Sequence, residues 1–284
     1  MKPVAERPWP APAKLNLFLH VLGRRPDGYH ELQTCFQFVD LADELMIRVR
    51  DDGRIRRLGG LPEVAPEADL CVRAALALRA ASGCALGAEI HILKRIPAGA
   101  GLGGGSSDAA TTLVALNRLW RLDWPVERLA ALGLELGADV PVFVHGRAAF
   151  AGGVGEQLTP IAPVEGNYLI LKPKVSVSTA EVFRDPELTR NSPAITIHGF
   201  LASGGHNDCE PVVRRRYPEV AFALDTLSRY GDARLTGTGA CVFLACETMA
   251  RGREIAAELS PGLFDAFVVR GLNDSPLLER SSTD

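Results

Sequence analysis

The sequence is poor in the features that mark several functional classes. Aromatic residues make up only 6% of its 284 positions, and net charge is −3 at pH 7. A pI near 6.1 supplies no global field for nucleic acid or an anionic membrane surface. No window approaches the roughly twenty consecutive apolar residues of a membrane span. The six cysteines (35, 71, 84, 209, 241 and 246) form no CxxC pair and sit among small apolar residues, which points to buried thiols in a reducing compartment. Six histidines are scattered without metal-ligand spacing, so a structural zinc site is not expected. The N-terminus, MKPVAERPWPAPAK, has charges and prolines where a signal segment would be apolar. Together these absences point to a cytoplasmic enzyme, with no nucleic acid and no membrane as partner.

What is abundant is glycine, concentrated in one place. Residues 97–108 read PAGAGLGGGSSD, with five glycines in the seven positions 99–105. Before it, 88–96 (AEIHILKRI) reads as a strand; after it, 109–119 (AATTLVALNRL) reads as a helix. A glycine-rich turn feeding a helix N-terminus offers backbone N–H groups and the positive end of the dipole, which is a phosphate cradle. The alternative is a loop whose glycines only permit positive φ. Two common templates fail. No lysine follows as Walker A demands, and the G-x-G-x-x-G match at Gly99, Gly101 and Gly104 lies nearly a hundred residues into the chain, not in a first βα unit. Ser106 or Ser107 is expected to cap the helix, and either hydroxyl suits a phosphate or a magnesium ion.

Other segments add polar groups. In 13–21 (AKLNLFLHV), Ala13, Leu15, Leu17, Leu19 and Val21 share one strand face. Lys14, Asn16, Phe18 and His20 share the other, which is either solvated or lines a site. Strands are expected at 34–39 and 44–49, and helices at 70–81 and 126–136, the latter ended by Gly137. Asp139, two residues before Pro141, is a natural cap for a short helix. Prolines and a glycine at 160–166 mark a boundary between 1–162 and 163–284. Beyond it come a strand at 168–175, a helix from Ser178, helices over 209–230, a hairpin at 235–240, a helix at 247–259 and a strand at 266–270. Arg214, Arg215 and Arg216 read as a solvated helix face. The mixture indicates an α+β fold.

Three motifs make the chain resemble the GHMP kinase superfamily. They are 12–32 (PAKLNLFLHVLGRRPDGYHEL), 97–110 with 136–146 (LGADVPVFVHG), and 235–243 (LTGTGACVF). Gly28-Tyr29-His30 and 207–211 (NDCEP) point to the branch with a cytidyl substrate. The resemblance implies a two-domain fold, the N-terminal domain like domain 2 of ribosomal protein S5 and the C-terminal one ferredoxin-like. It implies ATP-dependent phosphorylation of the 2-hydroxyl of a cytidine diphosphate-linked methylerythritol, with Mg2+. By the same resemblance Pro97, Gly99, Ala100, Gly101, Leu102, Gly103, Gly104, Gly105, Ser106 and Ser107 cradle ATP, Tyr29 and His30 hold the cytosine, and Lys14 and Asp139 carry the chemistry. Asn16, Thr238 and Gly239 are substrate-binding candidates, and Ser106 is the candidate metal ligand. A kinase for homoserine, mevalonate or a sugar, a non-catalytic nucleotide-binding protein, and an RNA-binding protein remain as alternatives. Monomer and homodimer are both open.

Overall fold

The computed structural model describes residues 7–60, 64–259 and 262–282. Residues 1–6, part of the segment that counts against a signal sequence, lie outside the described residues. One continuous sheet runs through the described chain. Its path is β3 (Ile55–Gly59), β4 (Gly87–Leu93), β2 (His30–Arg50), β10 (Phe264–Leu272), β7 (Asn167–Pro173), β9 (Val242–Cys246) and β8 (Ala233–Leu235). β1 (Trp9–Arg24) and β5 (Ala149–Gly152) also pair with β2, and β6 (Gln157–Pro160) pairs with β5. Among the described strands β3 and β4 pair in parallel and the other pairings are antiparallel, in keeping with a mainly antiparallel sheet.

β2 is one long strand where the sequence reads as two. A register shift between Pro12/Ala13 of β1 skips two residues of β2, so Asp40 and Leu41 form a bulge and pairing resumes at Ala42. The bulge matters twice. Asp40 is turned outward to bond Arg270 N at 2.8 Å, and Asp43, three residues on, is turned fully inward.

The helices are α1 (Leu70–Ser82), α2 (Gly104–Leu119), α3 (Val126–Leu134), α4 (Val140–His145), α5 (Thr179–Arg184), α6 (Ile197–Ser203), α7 (Glu210–Arg216), α8 (Pro218–Ser228), α9 (Met249–Glu258) and α10 (Pro276–Ser282). One core packs α1 through α4 on β1, β2 and β4, with Phe38, Leu45, Leu78, Leu113 and Phe143 at its centre. A second lies under α7 and α8 and includes Leu169, Val213, Leu224 and Val242. A third, around Leu15, Phe18, Leu102 and Ile170, joins the two. The chain end returns to the first core, where Leu277 is buried.

Several expectations need correction. α2 starts at Gly104, and its N-cap is Gly103 in the left-handed region, not Ser106 or Ser107. Asp139 stands at the N-cap position of α4 but makes no side-chain capping bond. α3 ends at Leu134, before Gly137. Neither face of β1 is solvated; Lys14, Asn16, Phe18 and His20 are all buried. The solvated face expected of Arg214, Arg215 and Arg216 is open to solvent as read, and its guanidinium groups also pair with Asp225, Glu187, Asp185 and Glu181.

Candidate active site

A cavity of about 620 Å³ opens where the glycine loop, β1 and the 236–241 loop converge. Lys14, Asn16, Pro97, Gly99 to Ser106, Asp139 and Thr238 all line it, although more than two hundred residues separate the first from the last.

Backbone geometry shapes the loop. Gly101 (φ +75°) lies so close to the 236–241 loop that an added Cβ would be 2.4 Å from Thr236 O and 2.9 Å from Gly239 O. Gly103 (φ +73°) leaves similarly little room, its would-be Cβ falling 2.8 Å from Phe143 Cζ and 3.1 Å from Lys14 Cε. Only glycine fits such positions without strain. The two loops are stitched together by Cys241 N donating to Ala100 O at 3.0 Å. In α2 the bond from Ser107 N to Gly103 O (2.9 Å) is the first of the ladder. The N–H groups of Gly104, Gly105 and Ser106 therefore precede any intrahelical partner and face the dipole's positive end outward. Ser107 is turned into the core, so Ser106 is the cradle's hydroxyl.

Lys14 supplies the charge that the loop lacks. Its Nζ donates to Asn16 Oδ1 at 2.5 Å and Gly101 O at 3.1 Å, lies 3.3 Å from Asp139 Oδ2, and stands 5.5 Å over the Phe36 ring. The ammonium is buried, while Asp139 is one-third exposed. The carboxylate thus keeps a face toward the cavity while it holds the lysine. Asn16 is fixed in turn: its Nδ2 donates to Thr34 Oγ1 (2.9 Å), whose hydroxyl donates to Phe18 O, and its backbone N donates to Thr236 Oγ1 (2.9 Å). Thr238 Oγ1 bonds Thr179 Oγ1 at 2.9 Å, and Asn207 Nδ2 holds the same loop through Leu235 O (2.9 Å) and Gly237 O (2.8 Å). Gly239 packs behind Gly101 and is not in the cavity wall.

Tyr29 and His30 are placed differently. Tyr29 is 64% exposed at the tip of the β1–β2 turn. His30 is buried and stacks on Phe183 (centroids 5.1 Å apart, planes at 27°), and it is Phe183 that lines the cavity.

Family matching decides how to read this arrangement. The family described as GHMP kinases N terminal domain matches residues 69–147, and that described as GHMP kinases C terminal matches 191–263. A Pseudomonas syringae pv. syringae (strain B728a) protein named 4-diphosphocytidyl-2-C-methyl-D-erythritol kinase is 58% identical over 268 residues, 94% of this chain and 95% of its own. The chain belongs to the GHMP kinases. A Halorhodospira halophila (strain DSM 244 / SL1) protein of the same name is 57% identical over 273 residues, covering 95% of this chain and 94% of its own. A solved 4-(cytidine 5'-diphospho)-2C-methyl-D-erythritol kinase superimposes with a TM-score of 0.81 at 35% identity, covering 93% of this chain and 99% of that one.

Sequence reading of this GHMP kinase overlooked a buried charge cluster beside the cradle. Lys94, in the cavity wall, pairs with Asp43 and with Asp108 Oδ2 (2.7 Å). Asp43 Oδ1 also accepts from the backbone N of Ile96 at 2.8 Å, which anchors the approach to the glycine loop. Burial pushes the Asp108 carboxyl up to about 8, with Asp43 adding to the rise and Lys94 opposing it. Asp108 Oδ1 and Ser107 Oγ are buried without a hydrogen-bond partner. The signal was present in the acid after GGGSS and in the lysine of AEIHILKRI, but nothing in the sequence pairs them.

Among the described residues no group of three or more His, Cys, Asp or Glu could hold a metal ion. Oxygen-bearing side chains near the cradle include Ser106, whose Oγ faces Gly137, together with Asp139 and Asp108. This set suits a magnesium ion held mainly by phosphate oxygens and water, not an all-protein cage.

Proposed function

We propose that this GHMP kinase transfers the γ-phosphoryl group of ATP to the 2-hydroxyl of 4-diphosphocytidyl-2-C-methyl-D-erythritol, releasing the 2-phosphate and ADP in the non-mevalonate route to isoprenoid precursors. The observation that carries the chemistry is the Lys14–Asp139 pair, 3.3 Å apart and open to the cavity beside the α2 cradle. Relatives bearing that name, at 56–58% identity over nearly full length, support the substrate.

In this reading the loop from Pro97 to Ser106 cradles the ATP phosphates, chiefly through the free N–H groups of Gly104, Gly105 and Ser106, while Ser107 packs behind it. The substrate oxygen attacks the γ-phosphorus as the bond from that phosphorus to the β–γ bridging oxygen breaks. Asp139 accepts the hydroxyl proton. Lys14, oriented by Asn16, offsets charge on the attacking oxygen and the transferred group. Such transfers pass through a loose transition state, so positioning and charge compensation do most of the catalysis. Mg2+, held by the phosphates with Ser106 Oγ, would neutralise phosphate charge. Thr238 and Gly239 brace the cradle against the second half of the chain, and Tyr29 and His30 take the cytosine.

The ATP-cradling half corresponds to residues 1–162 and the other half to 163–284. A cytoplasmic location is supported by six free thiols and by the lack, among the described residues, of any helix long and apolar enough to cross a membrane. The cavity is built from a single chain, so it suits a monomer or a homodimer alike. The test is ADP release with Mg-ATP and the cytidyl substrate beside an analogue lacking cytidine. Turnover should depend on the cytidyl group. Equal turnover would remove the cytosine assignment, and no ADP release from either would remove the function.

A further inference from the structure

Arg190 lies between α5 and α6, away from the phosphate cradle, yet it is built into a fixed position. Its Nη1 donates to Leu188 O at 3.1 Å, and its Nη2 to Phe183 O and Asp185 O, both at 2.8 Å. The segment beneath it is tied down as well. The Asp185 carboxylate is buried and receives Arg215 Nη2 at 2.7 Å and Arg216 Nη1 at 3.0 Å. That is the role the structure gives to the arginine run.

The remaining donor, Arg190 Nε, points at His30 Nε2 from 3.0 Å. A guanidinium has donors only and stays protonated in proteins, so the nitrogen facing it must carry the lone pair. His30 is then the neutral tautomer with its proton on Nδ1. Burial, followed by the charges of Arg190 and Arg24, also lowers the His30 pKa and disfavours the imidazolium. Among the described residues Nδ1 has no hydrogen bond, and it is not one of the sealed, unpartnered atoms. It is therefore not sealed off, and its ring lies against Phe183, which lines the cavity.

We propose that Arg190 is a positioning residue for base selectivity: by donating to His30 Nε2 it fixes the proton on Nδ1, so that His30 offers a pyrimidine a hydrogen-bond donor and never an acceptor. This rests on the reading that His30 holds the cytosine. N3 of cytosine is an acceptor and complements that donor; N3–H of uracil is itself a donor and opposes it. A histidine free to choose its tautomer would serve either base.

Two measurements on the full-length chain test this. The first is the nitrogen-15 spectrum of His30 in the wild type, identified by its absence in His30→Gln. The Nδ1–H tautomer is expected; an Nε2–H or imidazolium signal at neutral pH would overturn the proposal. The second compares cytidyl and uridyl substrates in wild type, Arg190→Met and Arg190→Lys. In Arg190→Met His30 can still take the Nδ1–H tautomer, so KM for the cytidyl substrate should change little, while KM for the uridyl substrate should fall roughly tenfold, about the gain of one oriented hydrogen bond. The change in kcat should be smaller, and the preference for cytidyl over uridyl should fall by a similar factor. Arg190→Lys, whose ammonium also only donates, should recover much of that preference. If Arg190→Met does not fold, the wild-type tautomer and the lysine variant still decide. A wild type that releases no ADP from the cytidyl substrate would sink the underlying function and this inference together. A wild type that turns over, with selectivity untouched in Arg190→Met, would sink this inference alone.

Discussion

Gly101→Ala probes the contact on which the site depends, the packing of the phosphate loop against the 236–241 loop. At φ +75° an alanine meets the left-handed penalty of about 1–2 kcal/mol. Its Cβ would also sit 2.4 Å from Thr236 O, so the loops must part by at least about 0.6 Å to reach even the closest Cβ contacts that proteins show. Both obstructing atoms are backbone carbonyls and cannot rotate away. Overpacking of this kind adds about 1–3 kcal/mol. The sum, roughly 2–5 kcal/mol, corresponds to a Tm lowered by about 3–8 °C in a chain of this size. Function should fall further than stability, because Gly101 O is a ligand of Lys14 Nζ. A displacement approaching 1 Å costs about 10²-fold in rate. Differential scanning calorimetry and kcat/KM for ATP would be measured together. Gly105→Ala is the control for folding: its Cβ would touch only Leu70 Cδ1 at 3.4 Å, and alanine favours a helix by about 1 kcal/mol. Wild-type Tm and kcat/KM in Gly101→Ala would refute the packing argument.

Asp139→Asn should lower kcat by about 10²–10⁴-fold with KM for ATP nearly unchanged; steady-state ADP release would show this, and a near-normal kcat would end the assignment. Asp108 gives a pH prediction. An unfolded aspartate ionises near pH 4, whereas burial holds the native carboxyl up to about 8. Between those values the folded state retains the extra proton, so stability falls as pH rises. Asp108→Asn keeps the Lys94–Asp43 pair, and its urea midpoint should decline less between pH 5 and pH 8 than that of wild type. Parallel declines would contradict this. Thiol titration offers a fourth check. Burial pushes Cys35 and Cys209 up to about 12, and Cys71 and Cys241 are also raised. No more than two thiols, Cys84 and Cys246, should react readily with Ellman's reagent before denaturation, and all six after it. A third fast thiol in the native protein would contradict the core described here.

Much of the site was legible because its chemistry is local in sequence. The glycine density of 99–105, the alternation around Lys14 and the acid at 139 each announce a role through neighbouring residues. Capping was misread for a physical reason. Serine is the better cap by intrinsic preference, but contact of Gly101 and Gly103 with Thr236, Gly239 and Phe143 fixes where the loop becomes helix. The short α6 and α10 are not expected from the sequence although Thr196 caps the first and Ser275-Pro276 opens the second, because seven residues are too few to show a helical apolar period. The bulge that turns Asp43 inward has no local signal either.

By itself the sequence determined most element types, the glycine loop and which residues are candidates for chemistry, since periodicity, glycine freedom and side-chain acidity are properties of short segments. Tertiary structure alone decided which face of β1 became the site. The covering loop begins more than eighty residues away, and the second one more than two hundred. It also decided the company each charge keeps: Lys14 with Asp139, Lys94 between Asp43 and Asp108, and Arg190 against His30. Such partners are set by burial, where an unpaired charge is too costly to leave, and burial is a property of the whole fold.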